Sequence, residues 1–286
     1  MRFSTSTLGA LLLAASATPA FAQDVPVTTT PDAKDAPAAA PAAADKPFKI
    51  TGGVTLISDY RFRGLTQTNG DGAVQGTINI NSSAGFYIGT WASTIDGSGK
   101  TPLLNGYGDA EVDLYGGYTK TFNGLTVDAG LLYYYYPSHN KSVAPNTDFF
   151  EPYASVSYTL GPVSTKVGGN YAWGGQKGLD FTANNKDDNI YVYGEAAVAV
   201  PKTPVTLKGH VGYTDGSLGL ANLVANDRNY LDWSVTAEAV GGPFKVGVTY
   251  VDTDITSSKF GGFYRKGYAS TFGRGSSVLG YVGVAF

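Results

Sequence analysis

Apolar and polar residues alternate along most of the chain from Phe48 onward. In the first segment Ile50, Val54 and Leu56 are separated by polar residues such as Thr51 and Thr55. Successive side chains of a strand point to opposite faces, so the pattern predicts strands with one apolar and one polar face. About twelve such segments follow one another, most of them close to the length of a tilted membrane strand. They span 48–64, 73–81, 85–95, 107–119, 125–136, 149–159, 163–173, 189–200, 205–215, 230–240, 243–252 and 277–286.

The connections between the predicted strands are alternately short and long. Lys120 to Gly124 and Leu160 to Pro162 are short, whereas Pro137 to Asp148 and Thr253 to Ser276 are long and polar. Short periplasmic turns that alternate with long extracellular loops are typical of outer-membrane barrels. An even number of strands then places both ends of the barrel on the periplasmic side.

Aromatic residues of the apolar face cluster near the two ends of the predicted strands. Those at the short-turn ends are Phe48, Phe86, Tyr118, Tyr158, Phe244 and Phe286. Those toward the long loops are Tyr60, Phe62, Tyr133, Tyr135, Tyr171, Tyr213, Trp233 and Tyr250. Two aromatic girdles border the lipid-facing band of membrane barrels. The pattern predicts an all-β fold, a transmembrane antiparallel up-and-down β-barrel of about 12 strands, with a soluble β-sandwich or barrel as the alternative.

Three regions are predicted along the chain. Residues 1–22 have a short basic start, an apolar stretch and the sequence Ala20-Phe21-Ala22, which indicates a signal peptide. Residues 23–46 are rich in Ala and Pro and predict a disordered periplasmic tether. Residues 47–286 form the predicted outer-membrane β-barrel.

Composition excludes several other classes of site. The chain has no cysteine, so it has neither disulfides nor a cysteine metal site. A net charge of −3 without a basic cluster argues against a nucleic-acid partner. Nothing in the sequence implies a cofactor or a metal ion.

Charged residues on the polar face are the candidates for lining a lumen and setting its ion selectivity. They are Asp59, Arg61, Arg63, Asp109, Glu111, Asp113, Asp128, Glu151, Lys166, Glu195, Lys208, His210, Asp232, Glu238 and Lys245. Acids outnumber bases, which favours a weak preference for cations, unless these charges pair with one another and fill the interior. The same face carries the aromatic residues Trp91, Tyr115, Tyr134, Tyr136, Tyr153, Tyr191 and Tyr193. A crowded interior of about twelve strands predicts a narrow pore.

The stretch Ser58-Asp59-Tyr60-Arg61-Phe62-Arg63-Gly64-Leu65-Thr66-Gln67-Thr68 resembles the hallmark of the TorF family of proteobacterial porins. The segments from Gly85 to Ser93 and from Glu111 to Tyr118 resemble two further segments of that family. The resemblance extends from about residue 48 to the C-terminus and implies an outer-membrane channel without a defined substrate.

The last predicted strand carries alternating apolar residues and ends in an aromatic ring. Val278, Val282, Val284 and Phe286 resemble the signal that the barrel-assembly machinery recognises. A strand of this kind could add to an exposed sheet edge during insertion. The expected partners are therefore that machinery, outer-membrane lipid and lipopolysaccharide, small solutes and, in an oligomer, further copies of the chain.

The sequence thus predicts a porin-like channel for passive diffusion of ions or small hydrophilic solutes. A non-conducting structural or adhesive barrel is the alternative, and an outer-membrane lipid-modifying enzyme is the weaker one. Of the two histidines, His139 lies in a long loop and His210 points inward by alternation, so no catalytic residue is predicted and the chain is not expected to be an enzyme. The solute and the oligomeric state do not follow from the sequence.

Overall fold

The computed structural model describes residues 47–98, 104–179, 187–219, 229–255 and 275–286. The predicted signal peptide (1–22) and tether (23–46) lie outside these residues. Among the described residues, no helix is long and apolar enough to cross a membrane.

Twelve antiparallel strands form a closed barrel, and a further pair of short strands forms a separate two-stranded sheet. The barrel consists of β1 and β4 to β14, and the separate sheet consists of β2 and β3. Each barrel strand pairs with its neighbours in sequence, and β1 pairs with β14 to close the ring. The strands are β1 Phe48–Ile57, β2 Arg61–Phe62, β3 Leu65–Thr66, β4 Ala73–Ser82, β5 Phe86–Gly97, β6 Gly108–Phe122, β7 Leu125–Tyr135, β8 Phe149–Leu160, β9 Val163–Ala172, β10 Asn189–Ala199, β11 Val205–Gly216, β12 Asn229–Gly241, β13 Phe244–Thr253 and β14 Ser277–Ala285. The predicted up-and-down barrel of about 12 strands is confirmed.

The outer surface of the barrel is apolar. Residues such as Ile88, Val192 and Val248 project outward at alternate positions and are exposed. Exposed aromatic rings stand at the short-turn end, where Phe86 packs on Tyr118 with ring centroids 4.9 Å apart. An apolar outer surface of this extent suits contact with lipid. The closed sheet suits it as well, because its ladder pairs the backbone groups that lipid could not hydrogen-bond.

Tyrosines on the inner surface lie against glycines of the neighbouring strand. Tyr87 is the register partner of Gly117, and Tyr153 is the partner of Gly130. A methyl group on either glycine would overlap the tyrosine ring. Large rings therefore fit flat against the barrel wall only because the facing residue has no side chain. The predicted inward tyrosines and Trp91 are all buried, as expected.

The first strand is shorter than its sequence pattern predicts. The prediction for 48–64 is wrong beyond Ile57, where β1 ends, and residues 58–72 turn into the barrel instead. Tyr60 is fully buried and Phe62 packs on buried Tyr134, so neither belongs to the outer aromatic girdle. Alternation continues through these residues, but the β1–β4 pairing stops at Ile57 and Ala73, and the chain is then free to fold inward.

Candidate functional site: the barrel lumen

Residues 58–72, here called the internal hairpin, occupy the half of the lumen that adjoins the long loops. Its two short strands β2 and β3 are joined by Arg63 and Gly64, whose φ angles are 49° and 80°. Two consecutive positive φ angles are typical of a type I′ turn, the tightest hairpin connection. This backbone is unfavourable for a residue with a side chain, which indicates that the contacts of Arg63 hold it there.

Asp59 organises the hairpin from within. Its Oδ1 accepts hydrogen bonds from the hydroxyl groups of Thr66 and Thr68 at 2.5 and 2.9 Å. Its Oδ2 accepts a hydrogen bond from Nε of Arg61 at 2.5 Å. The hydroxyl of Thr68 also accepts a hydrogen bond from the backbone N–H of Tyr60. One carboxylate therefore ties both arms of the hairpin together.

Arg63, at the tip of the hairpin, binds the opposite wall of the barrel. Its Nη2 donates to both carboxylate oxygens of Glu151 on β8, each at 2.8 Å. The guanidinium also lies over the ring of Tyr191 on β10, 4.3 Å from the centroid. Burial disfavours the cation, but neighbouring Glu151 keeps the pKa of Arg63 above its ordinary value. The tip is therefore held by a buried, charge-assisted contact.

Further contacts attach the hairpin to other sides of the barrel. Tyr60 donates from its hydroxyl to Glu111 on β6 at 3.3 Å, and its ring lies 5.3 Å from that of Trp91 on β5. Tyr230 on β12 donates to the carbonyl oxygen of Arg63 at 2.8 Å. Strands from several sides of the ring thus bind the same segment, which means that the hairpin crosses the lumen.

The half of the lumen near the short turns carries charged residues on neighbouring strands β9 to β13. This charged wall consists of Lys166, Glu195, Lys208, His210, Glu238 and Lys245. Lys208 Nζ lies 2.9 Å from Glu238, which also accepts a hydrogen bond from the hydroxyl of Tyr281 at 2.8 Å. His210 Nδ1 lies 3.5 Å from Glu195. Acidic and basic residues therefore alternate along the charged wall, and some of them contact one another.

His210 links the charged wall to the surroundings of the hairpin. Its Nε2 lies 2.8 Å from the hydroxyl of Tyr191 and 3.2 Å from Asp232. Tyr191 is the ring on which Arg63 stacks. The ring nitrogens of His210 thus face two carboxylates and a phenol, an arrangement that orients the imidazole in the lumen.

Exposure differs between the two halves of the lumen. The side chain of Glu151, beneath the hairpin, has 0% exposure, whereas that of Glu195 in the charged wall has 31%. Lys166 and Lys245 are also only half-buried, whereas Lys208 is 10% exposed and its partner Glu238 is buried. Water therefore reaches part of the short-turn half, around Glu195, whereas protein atoms surround the inward side chains of the long-loop half.

The predicted lumen residues separate into three groups. Those fully buried are Asp59, Arg61, Arg63, Glu111, Asp113, Asp128, Glu151, Asp232 and Glu238. Those half-buried are Lys166, Glu195, Lys208, His210 and Lys245. Asp109 is exposed near the start of β6 and has no place in either network. The predicted assembly residues Val278, Val282, Val284 and Phe286 are exposed on β14, and their role stays a prediction.

Several residues of the site do not emerge from the sequence. Thr66 and Thr68 fall in a predicted external loop, but both bind Asp59 inside the barrel. Asn170 donates to Glu151 at 3.2 Å, and Tyr230 anchors the hairpin tip. The available signal is Gly64, because a glycine readily adopts the positive φ that the second central position of a two-residue hairpin turn requires.

Solved structures of porins share this fold. The NanC porin superposes with a TM-score of 0.52 at 12% identity, over 83% of this chain and 99% of that one. The KdgM porin in complex with disordered oligogalacturonate gives a TM-score of 0.50 at 10% identity, over 83% of this chain and 98% of that one. Likeness at such low identity shows the fold alone.

No curated protein matches the chain. A family model does match, over residues 41–276, and its description is a bacterial protein of unknown function, Gcw_chp. Because the match covers most of the barrel, this chain belongs to the Gcw_chp family.

Proposed function

We propose that the protein is an outer-membrane channel for passive diffusion of ions or small hydrophilic solutes. The observation that carries the proposal is the contrast between the two faces of one closed sheet. Its outer face is apolar and exposed, and its inner face carries charged side chains that water reaches in the short-turn half. A closed strand ring with this distribution satisfies its backbone in lipid and encloses a polar path.

The proposed channel is narrow. Twelve strands lie between the eight-stranded barrels that side chains fill and the sixteen-stranded porins that hold an aqueous pore. The internal hairpin and the inward tyrosines take up part of the space that remains. The resemblance to the TorF family supports the same assignment and an outer-membrane location, reached by export through the periplasm.

The charges inside the barrel favour cations. The inward acids are Asp59, Glu111, Asp113, Asp128, Glu151, Glu195, Asp232 and Glu238, and the inward bases are Arg61, Arg63, Lys166, Lys208 and Lys245. This excess of acids lowers the energy of a cation in the lumen more than that of an anion. We expect a weak cation preference, because many of these groups are paired.

Planar-bilayer recording of refolded protein tests the channel. Discrete conductance steps, with a reversal potential in a salt gradient that favours cations, are the expected result. A barrel that shifts its migration on heating in detergent gels, but gives no steps in the bilayer, contradicts the proposal. The heating control separates a failure to fold from a failure to conduct.

A non-conducting structural or adhesive barrel is the second candidate, favoured by the packing of the hairpin across the lumen. In that case the steps are absent from every preparation. A lipid-modifying enzyme has less support, because His210 lies in the lumen whereas lipid substrates lie outside. We further propose lipid, lipopolysaccharide and the barrel-assembly machinery as partners, the last through the exposed outer residues of β14.

A further inference from the structure

We propose that the internal hairpin is a gate, which the contact between Arg63 and Glu151 holds closed. This inference rests on the proposed channel function and adds how the channel opens. The hairpin leaves the barrel ladder after Ile57 and re-enters it at Ala73, and these two residues are register partners. Its ends therefore lie side by side at the rim, and the segment between them lies outside the regular strand ladder. Opening would have to break the backbone hydrogen bond from Asp96 N–H on β5 to the Gln67 carbonyl, whereas the bond from Ser58 N–H to the Gly280 carbonyl on β14 lies at the fixed end.

The hairpin has the internal cohesion that a moving body requires. Asp59 binds Thr66, Thr68 and Arg61, all within the hairpin. The two short strands also pair with each other and not with the barrel. These bonds move with the hairpin and need not break on opening. Asn69, Gly70, Asp71 and Gly72, where the segment returns to β4, are exposed, and the two glycines permit a wide range of backbone angles there.

The hairpin is attached to the wall by an ion pair and by further hydrogen bonds. The Arg63 guanidinium binds Glu151, the Arg63 carbonyl accepts from Tyr230, Tyr60 donates to Glu111, and the Gln67 carbonyl accepts from the backbone N–H of Asp96 on β5 at 2.8 Å. The charge-assisted contact of Arg63 Nη2 with the two Glu151 oxygens is stronger than a neutral hydrogen bond. Glu151 is further oriented by hydrogen bonds from Tyr134 at 3.0 Å and Asn170 at 3.2 Å. Removal of the Glu151 charge should therefore loosen the hairpin selectively.

A second buried ion pair offers a matched control. Glu238 is buried like Glu151 and binds Lys208 at 2.9 Å, but both partners belong to the barrel wall. Glu238→Gln removes one inward charge without touching the hairpin. It alters the lumen potential as Glu151→Gln does, so only the effect on the gate should distinguish the two variants.

The first experiment compares single-channel records of the refolded wild type with a variant in which residues 58–72 are replaced by a four-residue Gly/Ser turn. The gate predicts closures in the wild type and loss of those closures, with larger steps, in the variant. Identical steps and closures in the two proteins overturn the gate and leave the channel intact. Absence of steps from both overturns the channel function and the gate with it.

The second experiment does not depend on conductance, and it applies even when the shortened variant fails to fold. The chain has no cysteine, so Leu65→Cys places a single thiol on the buried hairpin. A membrane-impermeant maleimide should label this thiol about tenfold faster when Glu151→Gln is added. Adding Glu238→Gln instead should leave the rate unchanged. Equal rates in all three proteins, each with heat-modifiable migration, overturn the gate.

Discussion

The two halves of the lumen are built from the same strands but differ in what their inward side chains meet. In the long-loop half, Glu151 is closed off by Arg63 of the internal hairpin. In the short-turn half, Glu195 faces His210 and remains 31% exposed. Both acids point inward, Glu151 from β8 and Glu195 from β10. The comparison teaches that strand alternation determines which side chains point inward. Whether those side chains are then packed against protein atoms or face water depends on where the internal hairpin lies.

The largest expected effect concerns the ion pair between Arg63 and Glu151 in the long-loop half. Arg63→Glu places two acids in contact, and Glu151→Arg places two cations in contact, in a site where both side chains are buried from solvent. Each single variant should weaken docking of the hairpin by about 3–5 kcal/mol. Hydrogen exchange at the Asp96 amide, which donates to the Gln67 carbonyl across the contact between β5 and the hairpin at 2.8 Å, measures that docking.

The double variant Arg63→Glu/Glu151→Arg is the control for this prediction. It restores opposite charges and should regain much of the lost protection. Protection that stays low in the double variant, or stays high in either single variant, would contradict the importance assigned to this pair.

An intermediate effect is expected from the tyrosine–glycine pairs along the inner wall. Gly130→Ala adds a methyl group against the ring of Tyr153 and should destabilise the barrel by about 1–3 kcal/mol. Gly209→Ala is the matched control, because a methyl group there meets no atom within 4 Å. Urea titration of the refolded proteins in detergent checks the difference, and equal midpoints would show that the rings adjust freely.

A smaller effect is expected inside the hairpin. Thr66→Val removes the hydroxyl that binds Asp59 and should destabilise the hairpin itself by about 1 kcal/mol. Thr121→Val removes a hydroxyl hydrogen bond to Thr126 at the exposed short-turn end. It should change the free energy of unfolding by less than about 0.5 kcal/mol. Hydrogen exchange at the Gln67 amide, which donates to Tyr60 O within the hairpin at 2.7 Å, should separate the two variants. If both behave alike, the interior of the hairpin is less tightly organised than its contacts indicate.

The smallest effect is expected from the charged wall of the short-turn half. Lys245→Gln removes a half-buried cation that lies 6.0 Å from the Tyr281 ring centroid. The preference for cations should increase slightly, because one repulsive charge leaves the water-accessible lumen. The reversal potential in a salt gradient measures the change. A shift toward anions would mean that this wall does not face the conducting path.

Strand positions and side-chain orientation could be predicted because both are local properties. The predicted strand 73–81 is observed as Ala73–Ser82, and 149–159 is observed as Phe149–Leu160. A one-residue error would reverse the inward and outward faces, so the burial of Glu151 and exposure of Val156 confirm the register. The charged residues of the lumen follow from the same alternation.

The internal hairpin could not be predicted in this way. Tyr60 and Phe62 continue the alternation of β1, so the pattern assigns them to the lipid face, although both lie inside the barrel. Period-two alternation reports that successive side chains point in opposite directions. It does not report that the strand has left the sheet. The regular β1–β4 pairing stops at Ile57 and Ala73, and the backbone of the hairpin then reaches the barrel strands at separate points, such as Gln67 with Asp96.

By itself, the sequence determined the class of fold, the approximate ends of the barrel strands and the polar identity of the inner face. Those follow from the alternation of neighbouring residues and from the lengths of the connections. Only the tertiary structure decided that Arg63 meets Glu151, 88 residues away, and that the hairpin occupies one half of the lumen. The physical reason is ring closure: β1 pairs with β14, so opposite walls face one lumen that the hairpin can cross.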